Sequence, residues 1–264
     1  MGHGAQLLET MALTLTEHRL RDGVVELLDL ADEAGVPVGI VSNAHSGRSH
    51  RRLLAELGIE QRFAVQIYSD EAGIRKPHPD MLHRAARALG ISVGRSWYVG
   101  DTLDRDLVAG RRAGAGAVVL IRSQHTDEPP FPVREVPDAV LDTPRGLIDL
   151  MRRALADEAH DGGAAHDGGP AADVLRSRAG AVRPDRATPV RVLLLDHGGV
   201  VSATVPADRP LAGVAEAVLR TLGRAGVEIT VDEALHLVRT AHGRYKAHKG
   251  ARAAGRTLDE VTPR

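Results

Sequence analysis

Polar side chains follow four apolar, strand-like segments of this sequence. The four groups are Ser42-Asn43 after Val41, Arg75-Lys76-Pro77 downstream of Ile67, Gly100-Asp101 after Val99 with Asp106 five residues on, and Asp196-His197-Gly198 after Leu195. Carboxylates bind hard divalent cations, and strand-to-helix turns bind anions. The four groups therefore predict a site for a cation and an anionic ligand, provided that the fold brings them together.

The elements around these groups alternate between helix and strand. Apolar residues at helical spacing precede each short apolar run, as Val24, Leu27, Leu28 and Ala31 precede the run 38–41. Such alternation is typical of an α/β fold with a Rossmann-like, doubly wound parallel sheet. Binding sites in these sheets lie at the carboxyl ends of the strands, so all four polar groups are expected at one edge.

The composition narrows the class of ligand. Lys and Arg number 34 against 35 Asp and Glu, so the chain lacks the basic surface of a nucleic-acid-binding protein. Because cysteine is absent, any metal must bind oxygen or imidazole. No apolar run approaches the ~20 residues of a membrane span. We therefore expect a cytoplasmic protein whose partner is a small molecule, with neither nucleic acid nor membrane as a partner.

The chain resembles the haloacid dehalogenase (HAD) superfamily in all four of that family's motifs. They are Leu-Leu-Leu-Asp-x-Gly-Gly at 193–199, Ser42-Asn43, Arg75-Lys76-Pro77-His78-Pro79, and Gly100-Asp101-Thr102-Leu103-Asp104-Arg105-Asp106-Leu107-Val108-Ala109-Gly110. The last of these is highly specific, whereas Ser42-Asn43 alone is weak. The resemblance covers roughly residues 1–150 and 190–264, and it implies a HAD-like sheet with a small α-helical cap.

The resemblance implies a Mg²⁺-dependent phosphomonoester hydrolase that acts on a small phosphorylated metabolite through an aspartyl-phosphate intermediate. Asp196 would be the nucleophile, and Lys76 would be the catalytic cation and a phosphate ligand. The hydroxyl of Ser42 and the backbone N–H of Asn43 would hold phosphate oxygens. Cations are required because an anionic carboxylate attacks a negatively charged phosphoryl group only when that charge is neutralised.

The same resemblance implies the ligands of the Mg²⁺ ion. Asp196, the main-chain carbonyl of Gly198 and Asp101 would bind it, with Asp106 as a further or supporting ligand. Asp104, in the same motif, is expected to be a solvated charge in the first turn of a helix.

The motifs stand in a rotated order, because the family's first strand is almost last here. We expect a core at 21–156 with motifs two to four, a flexible linker at 157–189, the first core strand and nucleophile loop at 190–202, and a helical cap formed by 203–264 with 1–20. In that cap, 6–18 would be the last helix. Joining residue 264 to residue 1 restores the family order, which favours circular permutation. Two other arrangements stay open. Residues 190–264 could belong to a truncated second copy, or they could complete a neighbouring chain by domain exchange. The protein would then be a homodimer or a domain-swapped oligomer.

One position departs from the usual phosphatase motif. Phosphatases of the family usually carry a second Asp, a general acid and base, two residues after the nucleophile, where this chain has Gly198. Such help contributes typically ~10²–10⁴-fold, so slow turnover is expected, with His197 as a candidate replacement. Two alternative functions stay open. One is a non-catalytic HAD-fold regulator or scaffold, which the missing acid at Gly198 supports. The other is a metal-independent 2-haloacid dehalogenase, which Asp101 disfavours because dehalogenases lack this metal carboxylate.

Overall fold

The computed structural model describes residues 16–129, 132–161, 189–206 and 211–253. The chain divides into two compact units. The first, called the core unit, comprises Arg19–Gly47 and Leu54–Ala203. The second, called the helical unit, comprises Met1–His18, Arg48–Leu53 and Thr204–Arg264.

Six of the strands form one parallel sheet in the core unit. The strands of the described residues are β1 (Thr16–Leu20), β2 (Val38–Ser42), β3 (Val65–Tyr68), β4 (Ser96–Gly100), β5 (Ala117–Ile121), β6 (Ala139–Leu141), β7 (Val192–Leu195) and β8 (Ser202–Pro206). The order in the sheet is β3-β2-β7-β4-β5-β6. Leu195 pairs with Ile40 of β2 on one side and Val99 of β4 on the other, so the three central strands end at nearly the same level.

Helices cover both faces of this sheet. The α-helices of the described residues are α1 (Val24–Glu33), α2 (Gly47–Glu56), α3 (Ser69–Ala72), α4 (Asp80–Ala88), α5 (Val108–Ala113), α6 (Gln124–Asp127), α7 (Pro144–Asp161), α8 (Leu211–Arg224) and α9 (Val231–Ala253). Leu193 and Leu195 of β7 pack with residues of α1 and α7, whereas Val192 and Leu194 pack with residues of α4 and α5. Successive side chains point to opposite faces, and all four are buried because both faces are covered. The predicted doubly wound α/β fold is therefore confirmed.

Two predicted segments differ from the structure. Helix α7 continues to Asp161, into the segment whose composition predicted a linker, and 162–188 lies outside the described residues. The end of the predicted cap helix at 6–18 is wrong, because residues from Thr16 onward form strand β1, which pairs with β8. This pairing joins segments far apart in the sequence, so neither segment's own pattern reveals it. Residues 6–15 lie outside the described part of the chain.

The helical unit contains an α8–α9 pair with a small core of its own. Val214, Val218, Ala234 and Val238 are buried in it. Helix α9 begins with a capping box, because the backbone N–H of Thr230 donates to the Glu233 carboxylate at 2.7 Å and the Glu233 N–H donates to the Thr230 hydroxyl at 3.2 Å. Among the described helices, none has the length and apolar character needed to span a bilayer.

Candidate active site

The carboxyl ends of the central strands bring three aspartates together in the core unit. Asp196 follows β7 and Asp101 follows β4, and the Asp196 backbone N–H donates to the Val99 carbonyl at 2.8 Å. Asp101, Asp106 and Asp196 each offer a carboxylate oxygen within 4.8 Å of the others, and all three side chains are buried. The predicted convergence of the strand ends is thus present for the three acidic residues.

Lys76 lies between two of these carboxylates. Its Nζ is 2.6 Å from Oδ1 of Asp106 and 3.1 Å from Oδ1 of Asp196, and it donates to the hydroxyl of Tyr98 at 2.8 Å. Burial alone would lower the pKa of Lys76, but the charges of Asp106 and Asp196 outweigh burial and raise that pKa above its usual value. Lys76 is therefore a fully charged cation whose three donors are all used.

Asn43 acts on the main chain of Lys76. Its Oδ1 accepts from the Lys76 backbone N–H at 2.8 Å, and its Nδ2 donates to the Lys76 carbonyl at 3.0 Å. This paired contact fixes the strand-end loop that carries the lysine. The sequence predicted only the Asn43 backbone as functional, so this side-chain role was missed.

Asp106 is held by a dense set of hydrogen bonds. Oδ1 accepts from Lys76 and Tyr98, and Oδ2 accepts from the backbone N–H groups of Asp101 and Thr102 and from the Thr102 hydroxyl. Burial would raise the pKa of Asp106, but the charge of Lys76 and the hydrogen bonds outweigh it and lower the pKa to about 2. A carboxylate has about four lone-pair sites, and Asp106 already accepts five bonds, so it is a structural anchor of the site.

Asp101 and Asp196 have the opposite electrostatic balance. Burial, followed by the charges of Asp106 and Asp196, raises the pKa of Asp101 to about 7, although Lys76 and a Ser123 hydrogen bond oppose the rise. Burial likewise raises the pKa of Asp196, against the lowering effects of Lys76 and of a hydrogen bond with Ser42. Both carboxylates would thus be stabilised in their charged form by an added cation.

Two glycines allow this close packing. A Cβ atom at Gly199, where φ is +78°, would lie 2.2 Å from Oδ2 of Asp101, and a Cβ at Gly100 would lie 2.2 Å from Cβ of Asp106. The Gly199 carbonyl accepts from Nη1 of Arg21 at 2.7 Å, which ties the loop after β7 to the chain after β1. Any side chain at Gly199 or Gly100 would displace a carboxylate.

A third contact set holds the main chain of Asp101. Its carbonyl accepts from the hydroxyls of Ser123 at 3.0 Å and Thr126 at 2.7 Å, both in the segment after β5. Neither residue was predicted from the sequence, and nor were Tyr98 and Thr102. A tyrosine in a fully buried strand was the one available signal, because its hydroxyl needs a partner there.

Asp104 differs from its prediction as a solvated charge. Its side chain is only 13% exposed, and Nε of Arg105 lies 3.8 Å from its Oδ1. Asp104 lies in a π-helical turn formed by Leu103–Leu107, and not in a regular first helical turn.

Comparison with known proteins agrees with this geometry. Residues 4–114 match the family model described as haloacid dehalogenase-like hydrolase. The match covers less than half of the chain. A glyceraldehyde 3-phosphate phosphatase of Methanopyrus kandleri is 34% identical over 51% of this chain and 57% of its own length. An N-acetylmuramic acid 6-phosphate phosphatase of Pseudomonas aeruginosa is 35% identical over 52% of the chain and 59% of its own length. The chain thus spans little more than half the length of these relatives.

A solved structure also aligns with part of this chain. The HAD phosphatase from Thermococcus onnurineus aligns with a TM-score of 0.42 at 23% identity, over 48% of this chain and 55% of that chain.

The donor set of this cluster fits a hard divalent cation. Three buried carboxylates face a single lysine, so the ionised cluster carries an excess of two negative charges. Mg²⁺ prefers oxygen ligands and binds through one or two carboxylates with several waters. Asp101 and Asp196 are the two carboxylates suited to it, because both have raised pKa values, whereas the oxygens of Asp106 are already occupied.

Gly198 is exposed and open on its side-chain side. A Cβ atom built there would meet nothing within 4 Å. The His197 ring, by contrast, is buried and lies against Ser202, with 3.5 Å between Nδ1 and the hydroxyl oxygen. The chain therefore has space, but no side chain, at the position two residues after Asp196.

Proposed function

We propose that this HAD-like hydrolase is a Mg²⁺-dependent phosphomonoester hydrolase that acts through an aspartyl-phosphate intermediate. The observation that carries the proposal is the buried cluster of Asp101, Asp106 and Asp196 around the ammonium of Lys76. The relatives named as phosphatases of glyceraldehyde 3-phosphate and N-acetylmuramic acid 6-phosphate support a small phosphorylated metabolite as the substrate class.

Asp196 is the nucleophile of the proposed reaction. One of its carboxylate oxygens attacks the phosphorus atom, the P–O bond to the alcohol breaks, and the electron pair stays on the alcohol oxygen. Water then attacks the aspartyl-phosphate, which releases phosphate and restores the carboxylate. Lys76, at 3.1 Å, favours the charged form of Asp196 against burial and offsets the charge of the phosphoryl oxygens.

Ser42 and Asn43 hold the phosphoryl group in this proposal. Ser42 is buried at the end of β2 and is a hydrogen-bond partner of Asp196, so its hydroxyl lies beside the nucleophile. Asn43 is the first residue after the strand, and its backbone N–H would donate to a phosphoryl oxygen. The Asn43 side chain meanwhile keeps Lys76 in place through its two contacts with the lysine main chain.

Asp101, Asp196 and the exposed carbonyl of Gly198 would hold the Mg²⁺ ion. When bound, Mg²⁺ neutralises developing charge on the phosphoryl oxygens. Asp106 supports this set, because it fixes both Lys76 and the backbone of Asp101 and Thr102. The saturated oxygens of Asp106 favour this supporting position over direct ligation.

We also infer that one chain completes the site, as a circular permutation of the family order. The position of β7 between β2 and β4 supports this, since the latest core strand along the chain occupies the centre of the sheet. In this arrangement 21–156 and 190–202 form the catalytic core, the chain between them is a tether, and 203–264 with 1–20 form the cap.

The test measures release of p-nitrophenol from p-nitrophenyl phosphate, with and without Mg²⁺. We expect release that requires the metal and is lost in Asp196→Asn, while Asp149→Asn, an exposed aspartate in α7, serves as the matched control and retains it. Halide release from a 2-haloacid without metal would instead identify a dehalogenase. Mg²⁺ binding without any turnover would identify the regulator or scaffold that Gly198 favours.

A further inference from the structure

The proton-bearing side chains that contact the three carboxylates are held by those contacts. The proton-bearing groups around the carboxylates already have partners within the site: Lys76 with Asp106, Asp196 and Tyr98; Tyr98 and Thr102 with Asp106; Ser42 with Asp196; and Ser123 with Asp101. These contacts organise the nucleophile and the cation site. None of these groups is left to protonate a departing oxygen atom.

The two residues after the nucleophile do not fill this gap. The His197 ring is buried, with its Nδ1 3.5 Å from the Ser202 hydroxyl oxygen, so it is closed off from solvent. Gly198 is exposed and has open space around its Cβ position, but it carries no side chain. Among these core residues, the departing group therefore has no acid and would leave as an anion.

This requirement separates two classes of phosphate compound. An alkyl phosphate ester must expel an alkoxide, whose conjugate acid resembles water with a pKa of about 16. An acyl phosphate, the mixed anhydride of a carboxylic acid and phosphate, expels a carboxylate, whose conjugate acid has a pKa of about 4. General acid help is worth typically ~10²–10⁴-fold, and only the first class needs it.

We propose that acyl phosphates are the preferred substrate class of this site, because the proton donors that contact the carboxylates are already hydrogen-bonded and Gly198 carries no side chain. The inference rests on the proposed function, since it assumes phosphoryl transfer to Asp196. An Asp196 oxygen bonds to phosphorus, the P–O bond to the acyl group breaks, and its electron pair leaves with the carboxylate without any proton. Water then splits the aspartyl-phosphate, giving phosphate, a proton released to solvent and the free Asp196 carboxylate.

The experiment compares acetyl phosphate with β-glycerophosphate, an alkyl ester, in the presence of Mg²⁺. It measures kcat/KM for both with the full-length wild-type chain, Gly198→Asp and Gly198→Asn, and subtracts the rate seen with Asp196→Asn. The Asp variant adds a proton donor in the open space, and the Asn variant has the same shape but no such acid. Comparing variants on each substrate cancels the intrinsic reactivity of acetyl phosphate.

We expect wild type to favour acetyl phosphate by at least about 10²-fold. Gly198→Asp should raise kcat/KM for β-glycerophosphate relative to kcat/KM for acetyl phosphate by about 10²-fold. Gly198→Asn should leave this ratio at the wild-type level. Equal wild-type values for the two substrates, or the same change in ratio for Asp and Asn, would overturn the inference while leaving the proposed function intact. Absence of Asp196-dependent hydrolysis of both substrates would overturn the inference and the proposed function together.

Discussion

Asp101→Asn should make the metal-free protein more stable at alkaline pH, although it removes a proposed metal ligand. Asp101 is buried, with Asp106 and Asp196 as neighbouring carboxylates, and these causes raise its pKa from 3.8 to about 7. The folded state therefore binds the Asp101 proton more tightly than the unfolded state does. Its contribution to stability is fully present below about pH 4 and is lost as the pH rises through about 7.

The size of this loss follows from the two pKa values. At about 1.4 kcal/mol per pKa unit, the difference between 3.8 and about 7 corresponds to about 4 kcal/mol of unfolding free energy lost by pH 8. Asn has nearly the same shape and no charge, so Asp101→Asn should recover up to about 4 kcal/mol at pH 8 and nothing at pH 4. For a chain of this size, that is a rise in Tm of roughly 10 °C.

Thermal unfolding of wild type, Asp101→Asn and the exposed control Asp149→Asn, each in a chelator at pH 4, 6 and 8, measures this effect. Mg²⁺ should raise the wild-type Tm most at pH 8, where Asp101 is ionised, and should raise the Tm of Asp101→Asn much less. An Asp101→Asn variant that is less stable than wild type at pH 8, or whose advantage does not grow with pH, would refute the electrostatic account of the cluster.

Three further predictions concern the same residues. Asp106→Asn should lower stability at pH 7 by about 3 kcal/mol in chemical denaturation, opposite in sign to Asp101→Asn, because it leaves the buried charge of Lys76 poorly paired; equal signs for the two variants would contradict this. Gly199→Ala should weaken Mg²⁺ binding in calorimetry at least about tenfold, since its Cβ would lie 2.2 Å from Oδ2 of Asp101 at a φ of +78°; unchanged affinity would argue against ligation by Asp101. Mixtures of inactive Lys76→Met and Asp196→Asn chains should stay inactive in the p-nitrophenyl phosphate assay, because one chain completes each site; recovered activity would show that two chains share it.

The sheet and the acidic cluster were predictable because their signals are local. Five of the six parallel strands are short apolar runs that were predicted, while the three-residue β6 was missed, and Ser42, Asp101 and Asp196 stand at the ends of such runs. Parallel strands in a doubly wound sheet end at one edge, so adjacency along the sheet follows from the fold class. Asp101 and Asp196 could therefore be placed together from sequence, although they are distant along the chain.

The missed features depend on contacts between segments that carry no mutual signal. The side chain of Asn43 binds the main chain of Lys76, and the hydroxyls of Ser123 and Thr126 bind the main chain of Asp101. A main-chain partner leaves no trace in the partner's residue type, so these pairs cannot be deduced from composition or spacing. The β1–β8 pairing escaped prediction for the same reason, because strand pairing joins backbones.

The charges of the cluster point to a ligand as the reason for its composition. Asp106 and Lys76 form a satisfied ion pair, and the low pKa of Asp106, about 2, means that this pair contributes stability above pH 4. Asp101 has the opposite effect, because its pKa of about 7 makes its charge costly in the folded chain. A fold selected for stability alone would place a neutral residue there, since uncompensated buried charge is among the costliest features of a protein interior. A bound divalent cation would remove that cost, so a residue that destabilises the metal-free core is one that the proposed chemistry requires.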